Sequence, residues 1–218
     1  VAFREVGTGR SLTYGALAEA SGRAASALLA QGVAREERMA MLVLDQIEFP
    51  ILFWGAIKAG VIPVPLNTLL ATPVYDAILR DSRATMLVVS EALFDVVAPA
   101  LADNPYLRHV VVIGDAAEGT ITYGALMAMA ERALDPFEAS DDETAFWLYS
   151  SGSTGQPKGV HHVHSAMRAT AETYGAEVLG IREDDVVFSA AKFFFAYGLG
   201  NSMSFPMSVG ATTVIFGG

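Results

Sequence analysis

The 218-residue sequence contains no cysteine. Disulfides, thiolate metal sites and a cysteine nucleophile are thereby excluded. Positive charge is scarce too: 14 Lys and Arg stand against 24 Asp and Glu, a formal net charge of −10. Such a field repels nucleic acid, and no Lys/Arg cluster offsets it. An anionic ligand must then be held by local geometry rather than by bulk attraction. Long hydrophobic runs are also missing. The most apolar region, 51–66, is broken by Lys58, Gly60 and two prolines, and no run approaches the ~18 residues of a membrane helix. No signal sequence is visible, and a cytoplasmic location is expected. The chain opens at Val1 in mid-pattern, without an initiator Met, and stops at Gly218 just after an apparent strand. Both ends are therefore expected to be cuts. The apolar share of 52% and mean hydropathy of +0.38 fit an apolar face whose partner lies elsewhere, or an alanine-rich chain with a well-filled core.

What is present is concentrated in one stretch, Tyr149-Ser150-Ser151-Gly152-Ser153-Thr154-Gly155-Gln156-Pro157-Lys158-Gly159-Val160. It follows the apolar run Ala145-Phe146-Trp147-Leu148. Its glycines and hydroxyls can offer backbone N–H groups and O–H donors to a polyphosphate, with Lys158 as a mobile cation. It is not the G-x-x-x-x-G-K-[ST] loop of nucleotide hydrolases. Gly152 and Gly155 are too close, and Gly159 stands where the Mg²⁺-binding hydroxyl would be.

Short apolar runs alternate with helical patterns, which predicts an α/β fold with mainly parallel sheets flanked by helices. Strands are expected at 39–44, 61–64, 86–89, 110–113, 145–149, 186–190 and 212–216. Helices are expected from a Thr13 cap to about Ala30, over 48–59, after a Ser90 cap, over 165–179, and from Gly200 and Asn201 onward. Ligands of open α/β sheets sit at the carboxyl ends of strands, which is where the glycine loop falls. Thr-Tyr-Gly-Ala-Leu occurs at 13–17 and again at 122–126, read as two capped helix starts. The run 139–143 reads as a solvated connector. His161, His162 and His164 have no cysteine or obvious acidic co-ligand, so they do not make a zinc site.

The loop resembles the phosphate-binding loop of the adenylate-forming superfamily: acyl- and aryl-CoA synthetases, adenylation domains and luciferases. His164 fills the histidine place that follows it. Leu12-Thr13-Tyr14-Gly15-Ala16-Leu17 and the block 56–67 resemble earlier motifs of the same superfamily, in the same order. A narrower resemblance lies at 188–201, which is similar to the aryl-pocket block of benzoate– and hydroxybenzoate–CoA ligases.

The resemblance implies an incomplete N-terminal domain. Segments 1–35 and 185–218 would belong to one lobe, and 36–184, with the phosphate loop at 149–160, to a second. It implies ATP-dependent conversion of a small aromatic acid to an acyl-adenylate, then to a CoA thioester. ATP, Mg²⁺ and CoA would serve the full-length enzyme; a homodimer is left open. Ser150, Ser151, Gly152, Ser153, Thr154, Gly155, Lys158 and His164 would hold the nucleotide, with Lys158 and Thr154 catalytic. Phe195, Ala196, Tyr197 and Gly198 would line the acid pocket, while Phe193 and Phe194 read as core and Lys192 as reaching solvent. The alternatives are an adenylation domain that loads a carrier protein and a non-catalytic module that binds a nucleotide or a partner. The superfamily's Tyr-Gly-x-Thr-Glu block, ribose-binding Asp, hinge and C-terminal lysine do not occur here, so the chain alone is expected to be inactive.

Overall fold

The computed structural model describes residues 1–151 and 157–217. Thr13 accepts the Ala16 N–H through its side chain and starts the first helix, as its sequence position predicts. In chain order come β1 (Phe3–Glu5), β2 (Ser11–Leu12), α1 (Tyr14–Ala30), β3 (Arg38–Leu42), α2 (Glu48–Ala59), β4 (Ile62–Pro65) and α3 (Thr72–Ser82). Next are β5 (Met86–Ser90), α4 (Phe94–Val97), β6 (His109–Ile113), β7 (Ile121–Thr122) and α5 (Tyr123–Ala128). The hairpin β8 (Thr144–Ser151) and β9 (Pro157–Val163) follows, then α6 (His164–Thr170), β10 (Val186–Phe188), α7 (Ala196–Leu199), α8 (Phe205–Val209) and β11 (Thr212–Ile215). Among the described residues, no helix is long and apolar enough to cross a membrane.

The strands form a fully parallel sheet, β4-β3-β5-β6-β7, and a second sheet, β10-β11-β1-β2, parallel except at β1–β2. The parallel sheet is buried on both faces, as crossover helices require. Alternation along β3 sends Met39 and Met41 into one core with Phe49, Leu52 and Phe53 of α2. Ala40 and Leu42 enter the other core with Tyr75, Ile78 and Leu79 of α3. The second sheet joins the two ends of the chain, with Phe3 beside Thr213.

Several expectations are corrected. β8 pairs antiparallel with β9 instead of joining the parallel set. The region 72–82, given no element from sequence, is α3. Ser90 does not cap a helix; its Oγ accepts the Leu44 N–H at 3.1 Å. The helix over 165–179 widens to a π-helix from Ala171. The helix expected at Gly200 starts at Ala196, so Gly200 and Asn201 lie inside it, and Asn201 donates to the Tyr197 carbonyl at 2.8 Å. The connector 139–143 is not merely solvated. Asp141 carbonyl accepts the Ser165 N–H, and Glu143 carbonyl accepts that of His164, while Arg35 pairs with the Glu143 carboxylate. Both Thr-Tyr-Gly-Ala-Leu copies are capped helix starts: Thr122 accepts the Ala125 N–H at 3.0 Å.

Candidate functional site

Alternation along β8 decides what surrounds the glycine loop. Phe146 and Leu148 enter the α2-side core, whereas Trp147 and Tyr149 pack against the α3-side core. On β9, His161 stacks on Trp147 at 3.9 Å between ring centroids, and His162 stacks on Phe146 at 4.6 Å. Gly159 faces Tyr149, and a Cβ there would lie 3.3 Å from the Trp147 and Tyr149 rings. Tyr149 donates its hydroxyl to Asp81 Oδ2 on α3 at 2.5 Å. Burial, then the Asp81 carboxylate, pushes the Tyr149 hydroxyl well above its ordinary value, so it stays a donor.

This register sets Ser150 opposite Lys158 at the root of the loop, both exposed. Ser151 pairs with Pro157 through the backbone. Gly152, Ser153, Thr154 and Gly155 lie outside the described residues.

Below that root is a cleft of about 630 Å³. The hairpin supplies Tyr149, Ser150, Pro157, Val160 and His162; the loop after β4 and helix α3 supply Asn67, Leu70, Val74 and Ile78; the third wall is Phe194, Phe195 and Ala196. The cleft therefore joins Ser150 of the phosphate loop to Phe195 and Ala196 of the aromatic block. Tyr197, 66% exposed, is outside its lining. Gly198 is buried, and a Cβ there would meet the Lys192 carbonyl oxygen at 2.0 Å, so its smallness serves backbone packing. His164 lines a separate groove with Arg35, Arg38 and Trp147. His162 occupies the cleft instead. Burial, then His161, pushes its pKa down, which leaves a neutral ring at pH 7 able to donate and accept. From sequence His162 is considered only as a metal ligand and given no place in the nucleotide or acid site, because only a strand at 157–163 turns it towards the cleft.

The aromatic block is anchored from behind. Phe193 is fully buried, stacked on Phe49 at 4.6 Å and edge-on to Phe3 at 6.2 Å. Phe194 is buried as well, tilted against Phe195 at 4.4 Å. Phe195 is 47% exposed and its carbonyl accepts the Leu199 N–H at 2.8 Å, opening α7. Lys192 does not simply reach solvent; Nζ donates to the Phe216 carbonyl at 3.0 Å. Asp45, buried beyond the end of β3, accepts the Phe193 N–H at 3.1 Å. Burial pushes its carboxyl up to about 6, against the opposing pull of that N–H and of Lys192.

Comparison with known proteins follows the same lines. The sequence profile of the family described as AMP-binding enzyme matches residues 1–218. The 4-hydroxybenzoate–CoA/benzoate–CoA ligase of Rhodopseudomonas palustris is 48% identical over 207 residues, covering 95% of this chain and 38% of that protein. The benzoate–CoA ligase of Thauera aromatica is 49% identical over 206 residues, covering 94% and 39%. Among solved structures, a benzoate CoA ligase from Burkholderia xenovorans LB400 superimposes with a TM-score of 0.89 at 41% identity, over 100% of this chain and 42% of that one. The anthranilate CoA ligase AuaEII in complex with anthranoyl-AMP gives a TM-score of 0.95 at 35% identity, over 100% and 42%. The chain thus spans about two fifths of the length of these proteins.

Proposed function

The chain belongs to the AMP-binding enzyme family, and from that premise we propose that it carries the nucleotide- and acid-binding part of an AMP-forming aryl-CoA ligase. The substrate class is a small aromatic carboxylate of the benzoate type. One observation carries the reading: a single cleft runs from Ser150, at the root of the glycine loop, to Phe195 and Ala196.

A carboxylate is a poor electrophile because its charge is shared by two oxygens. Attack of one of those oxygens on the α-phosphorus of ATP forms a P–O bond and breaks the bond to the bridging oxygen. The products are an acyl-adenylate and pyrophosphate. Negative charge gathers on the departing pyrophosphate, so donors aimed there contribute most. Ser150, Ser151, Gly152, Ser153, Thr154, Gly155 and Lys158 are the donors assigned to it, with Lys158 and Thr154 given the catalytic role. CoA sulfur then attacks the acyl carbon, AMP leaves, and the thiol proton passes to solvent or base.

The acid's ring would lie against Phe195 and Ala196, where burying a phenyl group is worth roughly 2–3 kcal/mol at ~25 cal/mol per Å². A hydrophobic wall discriminates weakly between close analogues, so ring-substituted benzoates fit the same assignment. The described lining of the cleft contains no carboxylate. Mg²⁺ is therefore given no ligand among these residues, and no step is routed through it.

Lys158→Ala in an enzyme of the relatives' full length tests the reading. A charge-assisted hydrogen bond is worth about 1.5–3 kcal/mol, so benzoate-dependent pyrophosphate exchange should fall about 10- to 150-fold. Unchanged exchange would remove Lys158 from the triphosphate site. Transfer to a carrier protein but not to CoA would redirect the second half-reaction.

A further inference from the structure

Of the cleft wall formed by Phe194, Phe195 and Ala196, the two phenylalanines lie in the irregular stretch between β10 and α7, and Ala196 opens α7. Its geometry has to be imposed from outside. Within the stretch, the Phe195 N–H bonds the Lys192 carbonyl at 3.1 Å, which closes a tight turn. Two further hydrogen bonds tie the start of that turn to the two sheets. Lys192 Nζ reaches the Phe216 carbonyl, just past β11, and the Phe193 N–H reaches Asp45, just past β3. The turn thus sits on the seam between the sheets.

Asp45 is itself held in place. The Leu44 N–H before it is fixed by Ser90 Oγ at 3.1 Å, and the Gln46 N–H after it bonds the Leu44 carbonyl at 2.8 Å. The side chain is only 8% exposed as part of a buried residue, and no step of the proposed chemistry uses it. Burying a carboxylate is unfavourable unless it is hydrogen-bonded or paired. Here the bond it makes is to the backbone of the residue that immediately precedes the cleft wall. Without that acceptor the buried Phe193 N–H has no partner and the turn can shift. Phe193 itself stays gripped by Phe49 and Phe3, so the displacement falls on Phe194 to Ala196.

We propose that Asp45 is a positioning residue for the acid site: by holding the Phe193 N–H it fixes the turn that presents Phe195 and Ala196 to the cleft. The proposal rests on the reading of that cleft as the site of the aromatic acid. Asp45 is not among the residues that line the cleft, so its loss should act through the turn, affecting the acid and sparing ATP.

The test compares Asp45→Ala with Asp45→Asn, which keeps an oxygen acceptor, in an enzyme of the relatives' full length. Amide hydrogen exchange reports on 192–197, and steady-state kinetics give separate KM values for benzoate and ATP. Asp45→Ala should speed exchange in 192–197 about tenfold and raise the benzoate KM about fivefold, sizes set by the loss of one buried hydrogen bond. The ATP KM should stay within about twofold, and Asp45→Asn should recover most of both losses. Where Asp45→Ala does not fold, Asp45→Glu, which displaces the carboxylate by one methylene, takes its place with the same expectations. Unchanged exchange in 192–197 overturns the proposal, as does a parallel rise in both KM values. A wild-type enzyme that activates no aromatic acid would remove the acid-site reading; the exchange comparison then still decides whether Asp45 fixes the turn.

Discussion

The two halves of the cleft are built in opposite ways. Among the described residues the hairpin stem beneath the glycine loop pairs with neither sheet; β8 sends Phe146 and Leu148 into the core, whereas β9, with Lys158 and His161 exposed, is held to β8 by strand pairing and ring stacks. The aromatic turn on the other side hangs from a fully buried ring and a buried carboxylate. Two-stranded ribbons are marginal by themselves, whereas close-packed interiors resist displacement. On the half assigned to the triphosphate the solvent-facing β9 is therefore less restrained than β8, and less than the turn assigned to the ring. That division suits the chemistry. A flexible polyphosphate with many acceptors tolerates an adaptable partner. A flat ring selected by shape needs a wall that does not move.

The contrast is broken most directly at its strongest point. Phe193→Ala should cost about 3–5 kcal/mol of unfolding free energy, because the ring is fully buried between Phe49 and Phe3. The matching deletion on the stem, His161→Ala, should cost at most about 1 kcal/mol, since the ring is exposed and loses one stack. Denaturant melts of the two variants measure both. Similar costs would show that β9 is as deeply anchored as the turn.

A second test uses pH. The Asp45 carboxyl titrates at about 6 when folded, above the 3.8 of an unperturbed aspartate. A raised carboxyl value means that the folded protein holds the proton more tightly than the unfolded chain. Stability from this group is then full at low pH and is lost as pH rises through about 6. At 1.36 kcal/mol per pH unit the cost at pH 7 is up to about 3 kcal/mol. Asp45→Asn should therefore be more stable than wild type at pH 7, and the advantage should shrink towards zero near pH 4. An advantage that does not vary with pH would mean that Asp45 is not the titrating group.

Much of this was readable beforehand, and what was not has physical causes. Helix α2 was predicted residue for residue because Gly60, in the left-handed region at φ 73°, terminates it. Phe193 and Phe194 were assigned to the core as found. Helix α3 was missed because Ala71 precedes it with no side-chain cap. Strand β9 was missed because Lys158, Gly159, His161 and His162 show no apolar alternation. Their pairing is decided by Trp147 and Tyr149 across the ladder, which no local pattern records. Gly198 was expected to line the acid pocket, yet its missing side chain accommodates a backbone carbonyl that only the folded turn brings near. Asp45 gave no signal, since a lone aspartate reads as solvated.

The smallest expected effect concerns how the stem is tied to the body of the protein. Tyr149→Phe keeps the ring over Gly159 and removes only the hydroxyl that Asp81 accepts. Both partners are reached by solvent to some degree, so water replaces part of the bond, and the stability cost should be below about 1 kcal/mol. If the bond sets the root of the glycine loop, the ATP KM of an enzyme of the relatives' full length should rise about two- to fivefold. The benzoate KM should hold, the mirror image of the Asp45→Ala outcome. Asp81→Asn should act more weakly, because an amide oxygen still accepts the Tyr149 hydroxyl. An unaltered ATP KM in Tyr149→Phe would mean that the ring stacks and strand pairing alone seat the loop. The stem would then be stiffer than its two strands suggest, and the difference between the two walls would narrow.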